Sequence, residues 1–392
     1  MPSFVPLGIA DYSGNNERGF VQFTYQIADN NAKELTLQIR DGNSVIYEEK
    51  ITDANKLKQG EHIWKWDGFD SGGILDTAKL TQYENLNLYT IGVDNSNNYS
   101  RKKLDFSMRY DEVKWVDVKI DKNSKRIDVT LRVNLKDGGA RGLECREVIQ
   151  RDHLNPGMRT SKEVCPWDEI PQGDLITGKP PLTARTRSFE DLERLALDGI
   201  NYHWGRNSGN YIAKDVDIDG EKYEVYVNAI NTTEKAMDDV SLIFNTNNSW
   251  MRSGNPGTVE DPISFVGNIF SREAVCYNVG YIYEYFYKNN WDYQTSINED
   301  NEFKETSAHE IGHTILKAYG GTFYSYGHKG SVNTVTQSRN SSAPSYPSSG
   351  EIDIMPYYRN TPHPPYNKSY NRTIASTKDV LSLIWLSKLS LK

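Results

Sequence analysis

Cysteine is scarce: Cys145, Cys165 and Cys276 are all that 392 residues contain. None belongs to a C-x-x-C pair, which argues against a cysteine-built zinc cluster, and any one disulfide leaves a thiol over. A Cys145–Cys165 bridge stays open on this count, with nothing in the sequence to favour it. Long apolar runs are missing too, and with none near the ~20 residues that cross a bilayer, no membrane span is expected. The opening M-P-S-F-V-P lacks the charged start and long apolar centre of a secretory signal, which gives an expectation of synthesis in a cytoplasm. There is no basic excess either. The net charge is −8, from 45 Lys and Arg against 53 Asp and Glu. No basic cluster is long enough to track a phosphate backbone, so nucleic acid is not an expected partner. Internal repeats and low-complexity tails are absent. What remains, with 37% hydrophobic and 25% charged residues, is the profile of a soluble globular protein long enough for two or three domains.

Residues 4–110 read as short alternating runs broken by turn residues: F-V-Q-F-T-Y at 20–25, L-T-L-Q-I at 35–39, S-V-I-Y at 44–47, H-I-W-K-W at 62–66 and L-N-L-Y-T-I-G-V at 86–93. Such spacing predicts a β-sandwich over 1–110. Trp64 and Trp66 could form a ligand platform, but alternating aromatics in a strand more often pack, and packing is the expectation. W-V-D-V-K-I at 115–120 and R-I-D-V-T-L-R-V-N-L at 126–135 flank D-K-N-S at 121–124, a hairpin signature that starts a second domain, 111–392. The composition shift near Tyr110 predicts that this second domain folds alone. Between 136 and 187 Gly, Pro and charge predominate, and little regular structure is expected.

S-F-E-D-L-E-R-L-A-L at 188–197 opens with a capping box, Ser188 to Asp191, and begins the expected catalytic core, about 188–392. Gly199 should stop this helix, which would leave His203 packed beside Trp204 at the start of a strand. Runs at 211–213, 223–229 and 240–244 read as strands, with W-M-R-S-G-N-P-G at 250–257 as a substrate-facing edge. Tyrosines 277, 281, 283, 285 and 287 alternate, which favours a strand with a packed aromatic face. The Pro-, Ser-, Tyr- and Asn-rich stretch 341–373, which includes His363, should form a pocket wall. A capped helix over 376–389 closes the chain, with Val380, Leu383, Ile384 and Leu386 facing a core.

Residues 306–321, T-S-A-H-E-I-G-H-T-I-L-K-A-Y-G-G, name a chemistry. In a helix His309 and His313 sit one turn apart on one face, where two imidazoles reach one ion at about 2 Å and Glu310 lies beside its open position. Zinc with three protein ligands lowers the pKa of its water to about 7, and a carboxylate can take the proton as that water attacks a carbonyl. Glu310 is therefore the expected general base. H-E-x-x-H arises by chance in roughly one chain in a hundred of this composition. Its context strengthens it: acidic residues at 298–301 for the N-terminus, an apolar stripe of Ala308, Ile311, Ile315 and Ala318, and a stop at Gly320 and Gly321.

The third ligand is less direct. Tyr319 stands where the longer H-E-x-x-H-x-x-G-x-x-H motif has its last His, so that form is absent. His328 in Y-S-Y-G-H-K-G is the expected third ligand, with Asp353 and Glu351 as alternatives. E-I-D-I-M-P-Y-Y at 351–358 resembles the Met-turn of the metzincins, which implies Met355 beneath the metal and Tyr357 near the substrate oxygen.

Two wider resemblances follow from these residues. G-E-H-I-W-K-W-D-G-F-D-S-G-G-I-L at 60–75 is similar to the Ig-like module of flagellar hook-capping proteins. A-H-E-I-G-H, S-Y-G-H-K-G, E-I-D-I-M-P-Y-Y and the closing K-D-V helix together resemble the metallopeptidase effector modules attached to type VI secretion spike (VgrG-type) and Rhs-type proteins. The fold class expected is α+β: an N-terminal Ig-like β-sandwich followed by a zincin-like metallopeptidase domain with an HExxH helix and a C-terminal helix. The resemblance implies a Zn2+ cofactor and a toxin secreted through a contractile apparatus into a target cell. Its partners would be a protein or peptide substrate, the spike protein and a cognate immunity protein. Two rival readings stand beside it: a zinc amidase or endopeptidase acting on peptidoglycan, and a non-catalytic β-sandwich binding protein with a degenerate zinc helix. An intact Glu310 argues against the last, because a purely structural site needs no base.

Overall fold

The computed structural model describes residues 3–151, 159–254, 273–283, 291–334, 336–361 and 369–392. Over these the chain is a mixed α+β protein, rich in strands and with few helices. The alternating runs at its start do form strands. Ala32–Asp41 pairs antiparallel with Ser44–Lys50 and with Leu86–Asp94, and Tyr99–Asp105 completes a four-stranded sheet. Val21–Ile27 and Gly60–Trp66 form a separate antiparallel pair. The pleat sends Leu35, Leu37 and Ile39 inward, and all three are buried. Trp64 joins the two sheets, stacking on Phe23 at 5.7 Å and on Tyr47 at 6.2 Å. Both indoles are core: the Nε1 of Trp64 donates to Glu49 at 2.8 Å and that of Trp66 to the carbonyl of Phe69 at 2.7 Å. No platform is left open there.

A seven-stranded sheet carries the rest. Its long strand Arg126–Arg141 pairs antiparallel with Val116–Asp121 across the turn read from the sequence. The same strand pairs parallel with Glu221–Asn231 and, further along, with Asp239–Asn245, which in turn pairs parallel with Ala274–Asn278. The tyrosine run begins in that last strand and continues in Ile282–Tyr283; Tyr285 and Tyr287 lie outside the described residues. The stretch expected to be irregular holds a hairpin, Arg146–Arg151 with Arg159–Val164, closed by a Cys145–Cys165 disulfide. Cys276 is free and buried.

Helix α1 spans Thr77–Gln82 and α2 Phe189–Trp204. The capping box at the start of α2 forms as read: the Asp191 amide donates to the Ser188 hydroxyl and the Ser188 amide to Asp191. Gly199 does not stop the helix. A Cβ there would sit 2.2 Å from the carbonyl oxygen of Lys304, so glycine marks where α2 crosses α3, Ser296–Gly320. His203 consequently lies on the last turn of α2, buried, with Nδ1 2.7 Å from the carbonyl of Thr373. Helix α3 starts earlier than the acidic residues at 298–301 suggested, with Thr295 as its N-cap. Helices α4, Thr322–Tyr326, and α5, Thr377–Leu386, follow, the latter capped by Ser376.

Two sheets cross the boundary near Tyr110. The closing strand Leu389–Leu391 lies between Ser3–Phe4 and Met108–Tyr110, and Ile74–Asp76 pairs with Val116–Asp121. Side chains follow: Tyr319 donates to the carbonyl of Ala10 at 3.2 Å, and the rings of Tyr12 and Tyr324 are 4.7 Å apart.

Candidate metal centre

The sequence of α3 divides its faces. Ala308, Ile311, Ile315 and Leu316 are buried in the core, which turns His309, Glu310 and His313 to the neighbouring face. The tail of α2 fixes that orientation, because the indole of Trp204 donates to the carbonyl of Ala308 at 3.0 Å. Gly312 makes a second contact possible. A Cβ on it would lie 2.6 Å from the sulfur of Met355 and 2.9 Å from the Trp204 ring, so both side chains press directly on the helix backbone between the two histidines.

After α3, Gly321 turns the chain with φ +83 and α4 follows at once, which brings the loop 327–331 back over the helix. The structure thereby brings His309, His313 and His328 together: each offers one nitrogen, and the three atoms lie within 4.8 Å of one another. They lie close enough to bind one metal ion. Glu351 and Asp353 are engaged elsewhere. Glu351 accepts from Arg206 at 2.6 Å, and Asp353 is ion-paired with Lys329.

Each ring has its other nitrogen held. Nδ1 of His309 is 2.8 Å from the carbonyl of Ile354, Nδ1 of His328 is 3.0 Å from that of Tyr326, and Nδ1 of His313 is 3.1 Å from the Ser325 hydroxyl. Carbonyls only accept, so the first two Nδ1 atoms carry protons, and it is Nε2 of each ring that is left to ligate. Ser325 has the same effect, since its own proton goes to the carbonyl of His313 at 2.8 Å. Burial pushes the His328 imidazolium down to about 3, with His309 adding to the shift, and burial holds His313 well below its ordinary value. Both are therefore neutral near pH 7, the form in which imidazole ligates.

A cleft of about 460 Å³ opens beside the cluster, lined by Glu305, His309 and Glu310 of α3, by Arg252, and by Tyr357 and Tyr358. Glu310 is buried on its wall. The ring of Tyr357 lies 4.2 Å from that of His328, and its amide donates to the Ser331 hydroxyl at 2.8 Å. Burial raises the Tyr357 hydroxyl, while Arg252, close by and donating to it, pulls the other way and Glu310 adds to the rise. Arg252 is a residue that sequence reasoning did not single out. It sits in the 250–257 segment read as a substrate-facing edge, but no pattern marks one arginine there. Met355 is fully buried under Gly312, and its amide donates to Asp353 at 3.1 Å. His363 lies outside the described residues.

Neither a protein-family model nor a curated protein matches this chain. Among solved structures, truncated FlgD (monoclinic form) from the human pathogen Helicobacter pylori, a flagellar hook-capping protein, is a weak neighbour. The similarity covers 31% of this chain and 82% of that one, at 16% identity and a TM-score of 0.16. A likeness of that size carries no argument about fold or activity. No helix among the described residues is long and apolar enough to cross a membrane.

Proposed function

We propose that the protein is a zinc-dependent metalloendopeptidase with His309, His313 and His328 as ligands and Glu310 as general base. The observation that carries this reading is the convergence of the three histidines with every Nδ1 already held by an acceptor. That leaves the three Nε2 atoms as the ones that can ligate, a set that suits a borderline ion such as Zn2+ and leaves its remaining position to the cleft. The three rings are thus held by the hydrogen bonds their Nδ1–H groups donate to two carbonyls and one serine hydroxyl, as expected of a site built to hold a metal.

Bound zinc supplies Lewis acidity, polarising a carbonyl oxygen and acidifying water. The chain's own groups do the rest. Glu310, one residue after His309 and on the cleft wall, takes the proton of the attacking water and returns it to the leaving amine. Tyr357 presents a hydroxyl to the carbonyl oxygen as charge develops, oriented by its contact with the tilted His328 ring and by Arg252. The finer architecture belongs to the same proposal: an Ig-like front module for docking or delivery, and a zincin-like module behind it. So does delivery as a type VI effector toxin restrained by an immunity protein, which rests on the sequence resemblance alone.

The test is a metal analysis of the purified full chain, joined to hydrolysis assays on casein and on peptidoglycan with a chelator control. About one zinc per chain and chelator-sensitive cleavage of casein are expected. Cleavage confined to peptidoglycan would move the substrate to cross-bridge peptides, and a metal-free chain inert on both after zinc loading would end the hydrolase reading.

A further inference from the structure

The third histidine stands on an unfavourable backbone. His328 and Lys329 are consecutive residues with φ of +45 and +59, in the left-handed region that side chains with a Cβ seldom occupy. Such a conformation persists where its surroundings over-determine it. Nδ1 of the His328 ring meets a local group, the carbonyl of Tyr326 two residues back, and that contact cannot by itself fix where the loop sits over α3.

Ser331 gives the loop one link, donating to the His328 carbonyl and accepting from the Tyr357 amide, both at 2.8 Å, and the charged fastening comes from the residue after His328. The Lys329 ammonium, 15% exposed, donates to Asp379 at 2.7 Å and to the Ser376 hydroxyl at 2.9 Å, and it pairs closely with Asp353. Asp379 is fully buried in the first turn of α5, and Ser376 is the N-cap of that helix. Asp353 in turn accepts the amide of Met355, in the same loop whose Ile354 carbonyl holds the His309 ring. One ammonium therefore ties together the loop of the third histidine, the loop that orients the first, and the start of the C-terminal helix. Arg206 repeats the device on the far side, donating to Glu351 at 2.6 Å and to the carbonyl of Ala375 at 2.9 Å. A buried cation with two carboxylates and a hydroxyl is costly to bring out of water, which makes it an inefficient way to add stability alone. Its geometric specificity is what the centre needs.

We infer that Lys329 is a positioning residue for the metal centre: its ion pairs with Asp353 and Asp379 hold His328 in ligating position, so metal affinity depends on the C-terminal helix. The inference rests on reading the three histidines as a metal site. Lys329 touches neither substrate nor metal and acts through the backbone of its neighbour.

The test uses the full chain loaded with zinc and titrated with a competing chelator, with the thermal melt of the metal-free protein recorded beside it. Replacing a group that supports a metal ligand typically lowers affinity 10- to 100-fold. Lys329→Met should show a loss of that size together with a lower metal-free melt, because Asp353 and Asp379 lose their cation, and Lys329→Arg should recover part of both. Asp379→Asn, which keeps an acceptor at the helix start, should lose less. Should Lys329→Met fail to fold, the variant Lys329→Met/Asp353→Asn/Asp379→Asn removes the buried charges together and must still bind zinc at least 10-fold more weakly. Wild-type zinc affinity in folded Lys329→Met or in the folded triple variant overturns the inference while leaving the metal site intact. A wild-type chain that takes up no zinc overturns both.

Discussion

His313 and Ser325 are joined twice. The serine hydroxyl donates to the carbonyl of His313 at 2.8 Å, and the same oxygen lies 3.1 Å from Nδ1 of the His313 ring. With its only proton committed to the carbonyl, the hydroxyl can only accept from Nδ1–H, so it selects the tautomer with a free Nε2. Ser325→Ala should let the ring turn and lower zinc affinity about 10- to 100-fold with little change in fold. Chelator competition measures it, and an unchanged affinity would show that the ring is held by packing alone.

The proximity of His328 and the engagement of Glu351 and Asp353 make opposite demands on three alanine variants. His328→Ala removes a nitrogen from the cluster and should strip the zinc under mild chelation. Glu351→Ala unpairs Arg206 and Asp353→Ala leaves Lys329 with Asp379, so each should weaken binding by the 10- to 100-fold typical of supporting groups and not abolish it. Stoichiometric zinc in His328→Ala together with its loss in Asp353→Ala or Glu351→Ala would assign the third ligand to a carboxylate.

Glu310 and Arg252 should be separable by their kinetics. Glu310→Gln removes a base and no ligand, so full zinc content with kcat lowered about 10²- to 10⁴-fold is expected. Tyr357→Phe and Arg252→Leu address the same hydroxyl, one by deleting it and one by freeing it. Both should lower kcat with KM nearly unchanged, by at most the roughly 10²- to 10³-fold found for one oxyanion donor. The double variant should be little worse than Tyr357→Phe, and additive losses would show that Arg252 acts on substrate directly.

The legible parts were those set by short-range pattern. Alternation marked the runs at 35–39 and 126–135, which lie within the strands Ala32–Asp41 and Arg126–Arg141, the Ser188 box gave the start of α2, and i, i+4 spacing placed His309 and His313 on one face. Gly199 was misread because a glycine at a tight helix crossing and a glycine at a helix end look alike in one dimension; only the Lys304 carbonyl tells them apart. The carboxylates of Glu351 and Asp353 were open as ligands because their cations, Arg206 and Lys329, are distant or unmarked in the chain. Arg252 carries no local signature, and Ser325 and Lys329 lie in the S-Y-G-H-K-G run without their roles being marked there, since those roles come from loops brought together by the fold.

The shared strands make a prediction about modularity that differs from the composition-based one. A fragment of residues 111–392 loses both neighbours of Leu389–Leu391 and the edge strand beside Val116–Asp121. It should express as a less soluble or markedly less stable protein than the full chain, and residues 1–110 supplied in trans should restore part of the loss. A fragment that melts and hydrolyses peptides like the full chain would show that these contacts only dock one module on another.

Glu299 gives a pH dependence remote from the metal. It lies buried in the first turns of α3, and burial raises its carboxyl from 4.5 to about 7, against a weak opposing contact from the Gly280 amide at 3.4 Å. The folded pKa is above the unfolded one, so the folded state holds the proton more tightly. Its contribution is therefore fully present below pH 4.5 and is lost as the pH rises through about 7. Glu299→Gln keeps the shape and removes the titration. The variant should match wild type near pH 4.5 and exceed it above pH 7 by an amount on the order of 1–3 kcal/mol. Denaturant unfolding of both proteins at pH 4.5, 6 and 8 measures the difference directly, and because every other titrating group is common to the two chains, parallel pH profiles would mean that Glu299 is ionised in the folded protein at no cost.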